Sequence, residues 1–234
     1  MLSMAIKAIL FDFDGLLMDT EGCSLASWQH EWRQHDLELD LATFWVNHGG
    51  DVTEERYDTL AKAAGLTFDR ALSHARRIAY RDALHADLSF HSGIDAWLTQ
   101  AAQLGLRLAI ASSSPRSKVM THLERVGGLH HFELLACGDE VTNHKPDPAV
   151  YRLGLERLGV DPEDAVAVED SPHGVLAAQA AGMRCVAIPN RYPFPSTFTQ
   201  ADVRLESASA ITLDDLLALL DGDSRNATLP GAST

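Results

Sequence analysis

The sequence predicts an α/β fold: a doubly wound parallel sheet carrying an inserted all-helical domain. Three observations carry this expectation. Short apolar runs recur along the chain, segments of helical spacing separate them, and one long interval between the first two runs has little strand character. The first run, Lys7-Ala-Ile-Leu-Phe-Asp-Phe-Asp14, is mostly apolar and begins to alternate at Phe11, as a buried strand does where its end reaches solvent. Further runs follow at Leu106–Ala111, Leu134–Cys137, Ala165–Val168 and Cys185–Ile188. Between them Ser117–Val126, Ala149–Leu158 and Gly174–Ala181 show helical spacing. Alternating strands and helices of this kind build a Rossmann-like parallel sheet covered on both faces.

The interval from residue 19 to residue 92 is rich in Ala, Leu, Arg, Glu and His, and three or four helices would fill it. A single crossover needs far less chain, so the excess reads as a separate domain. The expected organisation is a core of residues 1–19 and 87–221 with a helical cap domain at 20–86. Residues 222–234 are small, polar and without periodicity, and read as a disordered tail.

Charge and cysteine content narrow the function. Thirty-three acidic residues against nineteen basic ones leave a net charge of −14, which repels nucleic acids and anionic membranes, so neither is an expected partner. The run Ala5–Phe13 contains Lys7 and Asp12 and is too short for a signal-peptide core or a membrane span, and no longer apolar run follows. Cys23, Cys137 and Cys185 are odd in number and scattered, which suggests neither a disulfide framework nor a zinc site and fits a reducing, cytoplasmic location. Nothing marks a protein partner. A phosphorylated ligand would meet the same repulsive field, so a site for one needs local positive charge, and the chain has four lysines: Lys7, Lys62, Lys118 and Lys145.

In open parallel sheets, ligands bind beyond the carboxyl ends of the strands, so the polar residues that follow each run are the candidates. After the first come Asp12 and Asp14, two carboxylates flanked by phenylalanines and followed by Gly15, which permits a sharp turn. Such a pair is costly unless a cation neutralises it. After the second run, Ser112-Ser113-Ser114-Pro115 precedes a helix, and these residues fit an anion site or simple capping by Ser114 equally well. Lys145 lies in Asn143-His144-Lys145-Pro146-Asp147-Pro148, where two prolines stiffen the loop and make the ammonium a fixed charge. Glu169 and Asp170 end the fourth run, although Asp170 also suits a helix cap. Asp12, Asp14 and Asp170 together offer hard oxygen ligands, which suit magnesium better than zinc.

No Gly-x-Gly-x-x-Gly, Walker-type lysine or Gly-x-Ser-x-Gly elbow occurs, which removes support for nicotinamide enzymes, P-loop ATPases and serine esterases. His30 and His35 lack the i, i+4 spacing of a helical zinc site and, like His130 and His131, read as solvated or capping residues.

The ordered set Asp12-x-Asp14-Gly15, Ser112, Lys145 before Pro-Asp-Pro, and Glu169-Asp170 resembles the haloacid dehalogenase superfamily over nearly the whole chain. The run Asp12 to Glu21 is close to the opening signature of its subgroup with a helical cap after the first strand, which includes sugar-phosphate phosphatases and beta-phosphoglucomutase. The resemblance implies that Asp12 attacks phosphorus to form an aspartyl-phosphate and that Asp14 serves as acid and then base. It further implies that Ser112, Ser113 and Lys145 hold phosphate oxygens, and that Asp12, Asp14 through its backbone carbonyl, Glu169 and Asp170 bind Mg2+. The substrate would be a small phosphorylated metabolite, with Asn47, His48 and the Arg76, Arg77, Arg81 group as candidate cap contacts; those arginines also suit a solvated helix face. Dehalogenases and phosphonate-cleaving members lack a carboxylate at the position of Asp14. Family mutases carry a histidine where this chain has Ser24 and an arginine near the loop at Asn47–Asp51, so hydrolysis is preferred to isomerisation. A non-catalytic binding protein on this fold would lack a nucleophile or an acid, and both are present.

Overall fold

A computed structural model describes residues 6–45, 52–192 and 198–222. Among them the chain divides into two compact units, one of residues 6–18, 90–191 and 198–222 and the other of residues 19–45, 52–89 and 192. The helices of the second unit are α1 (Thr20–Arg33), α2 (Leu41–Phe44), α3 (Thr53–Ala64) and α4 (Arg70–His85). Those of the first are α5 (Ile94–Leu104), α6 (Arg116–Arg125), α7 (Ala149–Leu158), α8 (Pro172–Ala180) and α9 (Leu213–Leu220). No helix among the described residues is long and apolar enough to cross a membrane.

The first unit is an α/β sandwich around one parallel sheet of β1 (Ala8–Phe11), β2 (Arg107–Ala111), β3 (Leu134–Ala136), β4 (Ala165–Glu169), β5 (Arg184–Ala187) and β6 (Val203–Arg204). The strand order is β3-β2-β1-β4-β5-β6, so the Rossmann-like expectation for the sheet holds. Right-handed crossovers toward β3 put α5 and α6 on one face, and the reversed direction from β3 to β4 and β5 puts α7 and α8 on the other. The face under α7 and α8 is lined by Ala8, Leu10, Ala109, Ala111, Ala136, Ala165 and Ala167. Side chains this small let the helices approach closely, and a β-carbon at Gly154 of α7 would already lie 2.8 Å from Leu10 Cδ2. On α5, the buried indole of Trp97 donates to the Ile211 carbonyl at 3.0 Å, tying the helix to the chain just before α9. The apolar runs foretell five strands. β6 has two residues, both at least partly exposed, and is too short to show a period.

The helical unit is built on α1, whose Trp28 and Trp32 lie one turn apart and pack with Phe44, Trp45, Tyr57 and Leu60. Asp19, Asp40 and Asp69 cap α1, α2 and α4 by accepting backbone N–H bonds, so part of the chain's acidity serves to start helices. Tyr192, which the sequence reading leaves in the core segment, belongs to this unit: its ring stacks on Trp45 with centroids 4.8 Å apart and its hydroxyl donates to the Asp19 carboxylate at 3.2 Å. Gly22 makes room for that hydroxyl, because a β-carbon there would lie 2.2 Å from it.

The polar residues of α1 and α4 are packed inward, which corrects two sequence expectations. Glu31 is fully buried and takes a bidentate bond from Arg76, 2.6 and 3.2 Å, with His35 Nε2 at 3.4 Å. Arg77 is 5% exposed, donates from Nε to the Tyr57 hydroxyl at 2.7 Å and lies over the Trp28 ring at 4.4 Å. Arg76 and Arg81 keep 33% and 32% of their side chains exposed, Arg81 paired with Asp82, so only Arg77 departs from the solvated helix face expected of the three arginines. His30 is half-buried, its ring stacked on that of Tyr80 with centroids 4.0 Å apart. Spacing alone hides this arrangement, because an inward polar network has the composition of an outward one. Of the candidate cap contacts, Asn47 and His48 lie outside the described residues, as do residues 223–234 of the expected tail.

Arg77→Met keeps the apolar stem but removes the donor to Tyr57 and the charge over Trp28. It is expected to destabilise the protein by about 1–3 kcal/mol, read as a lower urea midpoint with a native-like circular dichroism spectrum before unfolding.

Candidate active site

β1 lies where the direction of the strand connections reverses, with β2 on one side and β4 on the other. The crevice at the carboxyl ends of these three strands is the place such sheets offer a ligand. Asp12 follows β1 directly, and its backbone N–H donates to Val168 O at 2.9 Å, so the sheet ladder runs one residue past the strand and pins the carboxylate. Ser112 follows β2, Glu169 ends β4 and Asp170 follows it. Four residues named from sequence are thereby brought to one place by topology.

Lys145 joins them from the loop before α7. Its side chain is buried, and Nζ donates to Asp12 Oδ1 at 2.6 Å, Glu169 Oε1 at 2.6 Å and the Ala111 carbonyl at 2.7 Å. Glu169 also accepts from the Tyr151 hydroxyl at 2.6 Å and from Ser171 at 3.3 Å. Gly174 is required beneath it, since a β-carbon there would fall 1.9 Å from the Glu169 carboxylate. Tyr151, Ser171 and Gly174 were not foreseen as a support for Glu169. In sequence Tyr151 is one apolar position of a helix, and only the fold aims its hydroxyl.

Asp170 accepts from Asn190 Nδ2 at 2.8 Å. The helix-cap alternative for Asp170 is not what the structure uses, because Ser171 caps α8. Gly15 adopts φ +79°, and a β-carbon there would lie 2.2 Å from Asp170 Oδ2, so only glycine fits this turn. Asp12, Glu169 and Asp170 are all buried and can each place an oxygen within 4.8 Å of the others. Three hard carboxylate oxygens this close, outnumbering the ammonium among them, fit a divalent cation such as Mg2+. The Asp14 carboxylate is not in this cluster; it accepts from Ser114 Oγ and from Lys118 Nζ at 2.6 Å.

The serine loop does not use the capping reading left open for it. α6 starts on Pro115 without a side-chain cap, and the Ser114 hydroxyl donates to Asp14 instead. Ser112 is buried and accepts the Ser114 N–H at 3.1 Å, which shapes the turn at the end of β2. Ser113 is half-buried, and its carbonyl is approached so closely that a β-carbon at Gly138 would lie 2.0 Å from it. Lys118 and Asn190 are the polar groups that sequence reasoning missed. The scarcity of lysine, together with the i, i+4 spacing of Ser114 and Lys118, was the available signal for the first.

Electrostatics follow from burial. Burial lifts the Asp12 carboxyl to about 8, with Lys145 pulling it down and Glu169 and Asp14 pushing it further up. Burial disfavours the charge on Lys145, but Asp12 and Glu169 outweigh that and hold it above the ordinary lysine value. Burial and then Glu169 raise Tyr151 well above a normal phenol, so it stays a donor.

Comparison with known proteins agrees with this geometry. Residues 9–188 match the family model of the haloacid dehalogenase-like hydrolases. YhcW of Bacillus subtilis is 34% identical over 91% of this chain and 96% of its own. Validoxylamine A 7′-phosphate phosphatase of Streptomyces hygroscopicus subsp. limoneus is 28% identical over 88% of this chain and 95% of its own. Among solved structures, CbbY from Rhodobacter sphaeroides in complex with phosphate superimposes with a TM-score of 0.71 at 30% identity, covering 87% of this chain and 95% of that one.

An acid held at about 8 in the fold, against an ordinary value near 4, contributes stability that is complete below the lower value and lost as pH rises through the upper one. The melting temperature of EDTA-treated protein is therefore expected to fall between pH 5 and about 8.5. Mg2+ should restore it most at the upper end, where ionised Asp12 meets no competing proton. Asp12→Asn should flatten both responses in the same thermal melts.

Proposed function

The chain belongs to the haloacid dehalogenase-like hydrolases, and on that premise we propose that it is a magnesium-dependent phosphatase acting on a small phosphorylated metabolite, a sugar phosphate by preference. One observation carries the reading: Asp12 stands at the end of the central strand, buried against the Lys145 ammonium, with Asp170 and Glu169 close enough to share a cation with it. The relatives support it by name, one as a phosphatase of a 7′-phosphate and another as a protein holding phosphate.

In this mechanism an Asp12 oxygen attacks phosphorus as the bond to the leaving oxygen breaks, and Asp14 gives its proton to that oxygen. Water then attacks the aspartyl-phosphate. Asp14 takes back a proton from it, and Asp12 leaves as a carboxylate with inorganic phosphate as product. Lys145 sits against the attacking carboxylate, while the Ser112 hydroxyl at the end of β2 suits a phosphate oxygen. Asp12, Asp170 and the Asp14 carbonyl, with Glu169 beside them, would hold Mg2+, which supplies positive charge to the transferring group in a protein of net charge −14.

A screen of sugar phosphates, nucleotides and short phospho-acids with Mg2+ should find phosphate release that EDTA abolishes reversibly. Asp12→Asn should lower that rate by at least about a thousandfold while the protein stays folded. Absence of Mg2+-dependent release across the whole panel sinks the reading.

Hydrolysis is further distinguished from isomerisation by the fate of a hexose monophosphate followed by phosphorus NMR with a trace of sugar bisphosphate. Inorganic phosphate is the expected product. A positional isomer accumulating faster than phosphate would make the enzyme a mutase.

A further inference from the structure

Asp14 lies beyond the last paired residue of β1, on a turn where Gly15 N donates to Met18 O at 3.0 Å. Strand geometry therefore does not direct its side chain. Two residues from the start of α6 do so. Ser114 Oγ donates to Oδ2, Lys118 Nζ donates to Oδ1 at 2.6 Å, and Lys118 also donates to Ser114 Oγ at 3.1 Å, which closes a ring of three groups around the carboxylate. Ser114 precedes the N-cap of α6 and Lys118 lies in its first turn, and the bond between their side chains holds both against the same carboxylate. The Ser114 N–H bond to Ser112 holds the base of that turn.

Stability does not account for this ring. The Lys118 side chain is 35% exposed, and an ion pair open to water to that degree contributes little to folding. What it does accomplish is geometric, since both carboxylate oxygens are engaged and the carboxyl plane cannot turn.

We propose that Lys118, acting with Ser114, is a positioning residue that aims the Asp14 carboxyl at the leaving oxygen, and so determines which esters the enzyme can cleave. The inference rests on the phosphatase reading above. The step it assists is the first one: the phosphorus–oxygen bond to the leaving group breaks, the Asp12–phosphorus bond forms, and a proton carried by Asp14 on an oxygen lone pair that Ser114 and Lys118 leave open passes to the departing oxygen. An alkoxide needs that proton and a nitrophenolate does not, so misaiming Asp14 penalises alkyl esters selectively.

The test compares kcat/KM of wild type, Lys118→Met and Lys118→Arg on an alkyl phosphate such as glucose 6-phosphate and on p-nitrophenyl phosphate, with saturating Mg2+. Inhibition by inorganic phosphate and the melting temperature are measured alongside. Lys118→Met is expected to lose about a hundredfold on the alkyl ester and less than about fivefold on p-nitrophenyl phosphate, with Lys118→Arg recovering most of the difference. Its phosphate inhibition constant and melting temperature should stay near those of wild type. Equal losses on the two esters, no loss on either, or a phosphate constant weakened about tenfold would overturn the inference while leaving an active phosphatase in place. A wild type that releases phosphate from no ester of the panel above would remove the phosphatase reading and this inference with it.

Discussion

One ammonium group between two buried carboxylates organises the core of this protein. Lys145 reaches Asp12 at the end of β1, Glu169 at the end of β4 and the Ala111 carbonyl at the end of β2, so three adjacent strands are aligned on a single nitrogen. Take the charge away and two carboxylates face each other without water. The surroundings are built to hold the group in place: Tyr151 reaches down from α7 to the same Glu169 oxygen, and α8 comes close enough over Glu169 that residue 174 has no room for a side chain. Even so, one positive charge among Asp12, Glu169 and Asp170 leaves an excess of negative charge, and that imbalance gives the site its appetite for a cation.

The sheet and the strand-end residues were readable in the sequence because both depend on local order. Short apolar runs make buried parallel strands, and the residue that follows such a run must emerge at the carboxyl edge. Asp12, Ser112, Glu169 and Asp170 were found on that argument alone. Lys145 draws its weight from the two prolines that follow it and from its neighbours in the family motif. The supports were not readable, because each depends on contacts between segments remote in sequence: Tyr151 lies 18 residues from Glu169, Asn190 lies 20 from Asp170, and Lys118 lies 104 from Asp14. A turn forced on glycine shows in sequence only as a glycine. Its reason is the Asp170 oxygen that occupies the missing side chain's place.

The helical unit shows the opposite balance. Its existence follows from the length of chain between β1 and β2, yet its interior defies the polarity pattern, since Glu31, Arg77 and His85 are buried where an amphipathic reading expects apolar residues. Inside, Arg76 holds Glu31 and Arg77 holds Tyr57 across aromatic rings, so α1, α3 and α4 are joined by directional bonds as well as by apolar packing. Such bonds are satisfied in few arrangements, whereas apolar contacts tolerate many.

Tyr192 changes what counts as the helical module. The residue lies more than a hundred positions after α4 ends, yet it stacks on Trp45 and bonds to Asp19, the cap of α1. A contiguous cassette running from Asp19 to Ser89 is thus incomplete by one aromatic side chain. Exchange of such a cassette between relatives, in a laboratory chimera or by recombination, would carry Trp45 and Gly22 into a chain whose own residue at this point was shaped for a different insert. The module's inheritance is therefore split between two distant stretches of sequence. Covariation in this family should tie the residue after β5 to positions in the insert more tightly than to its own neighbours along the chain.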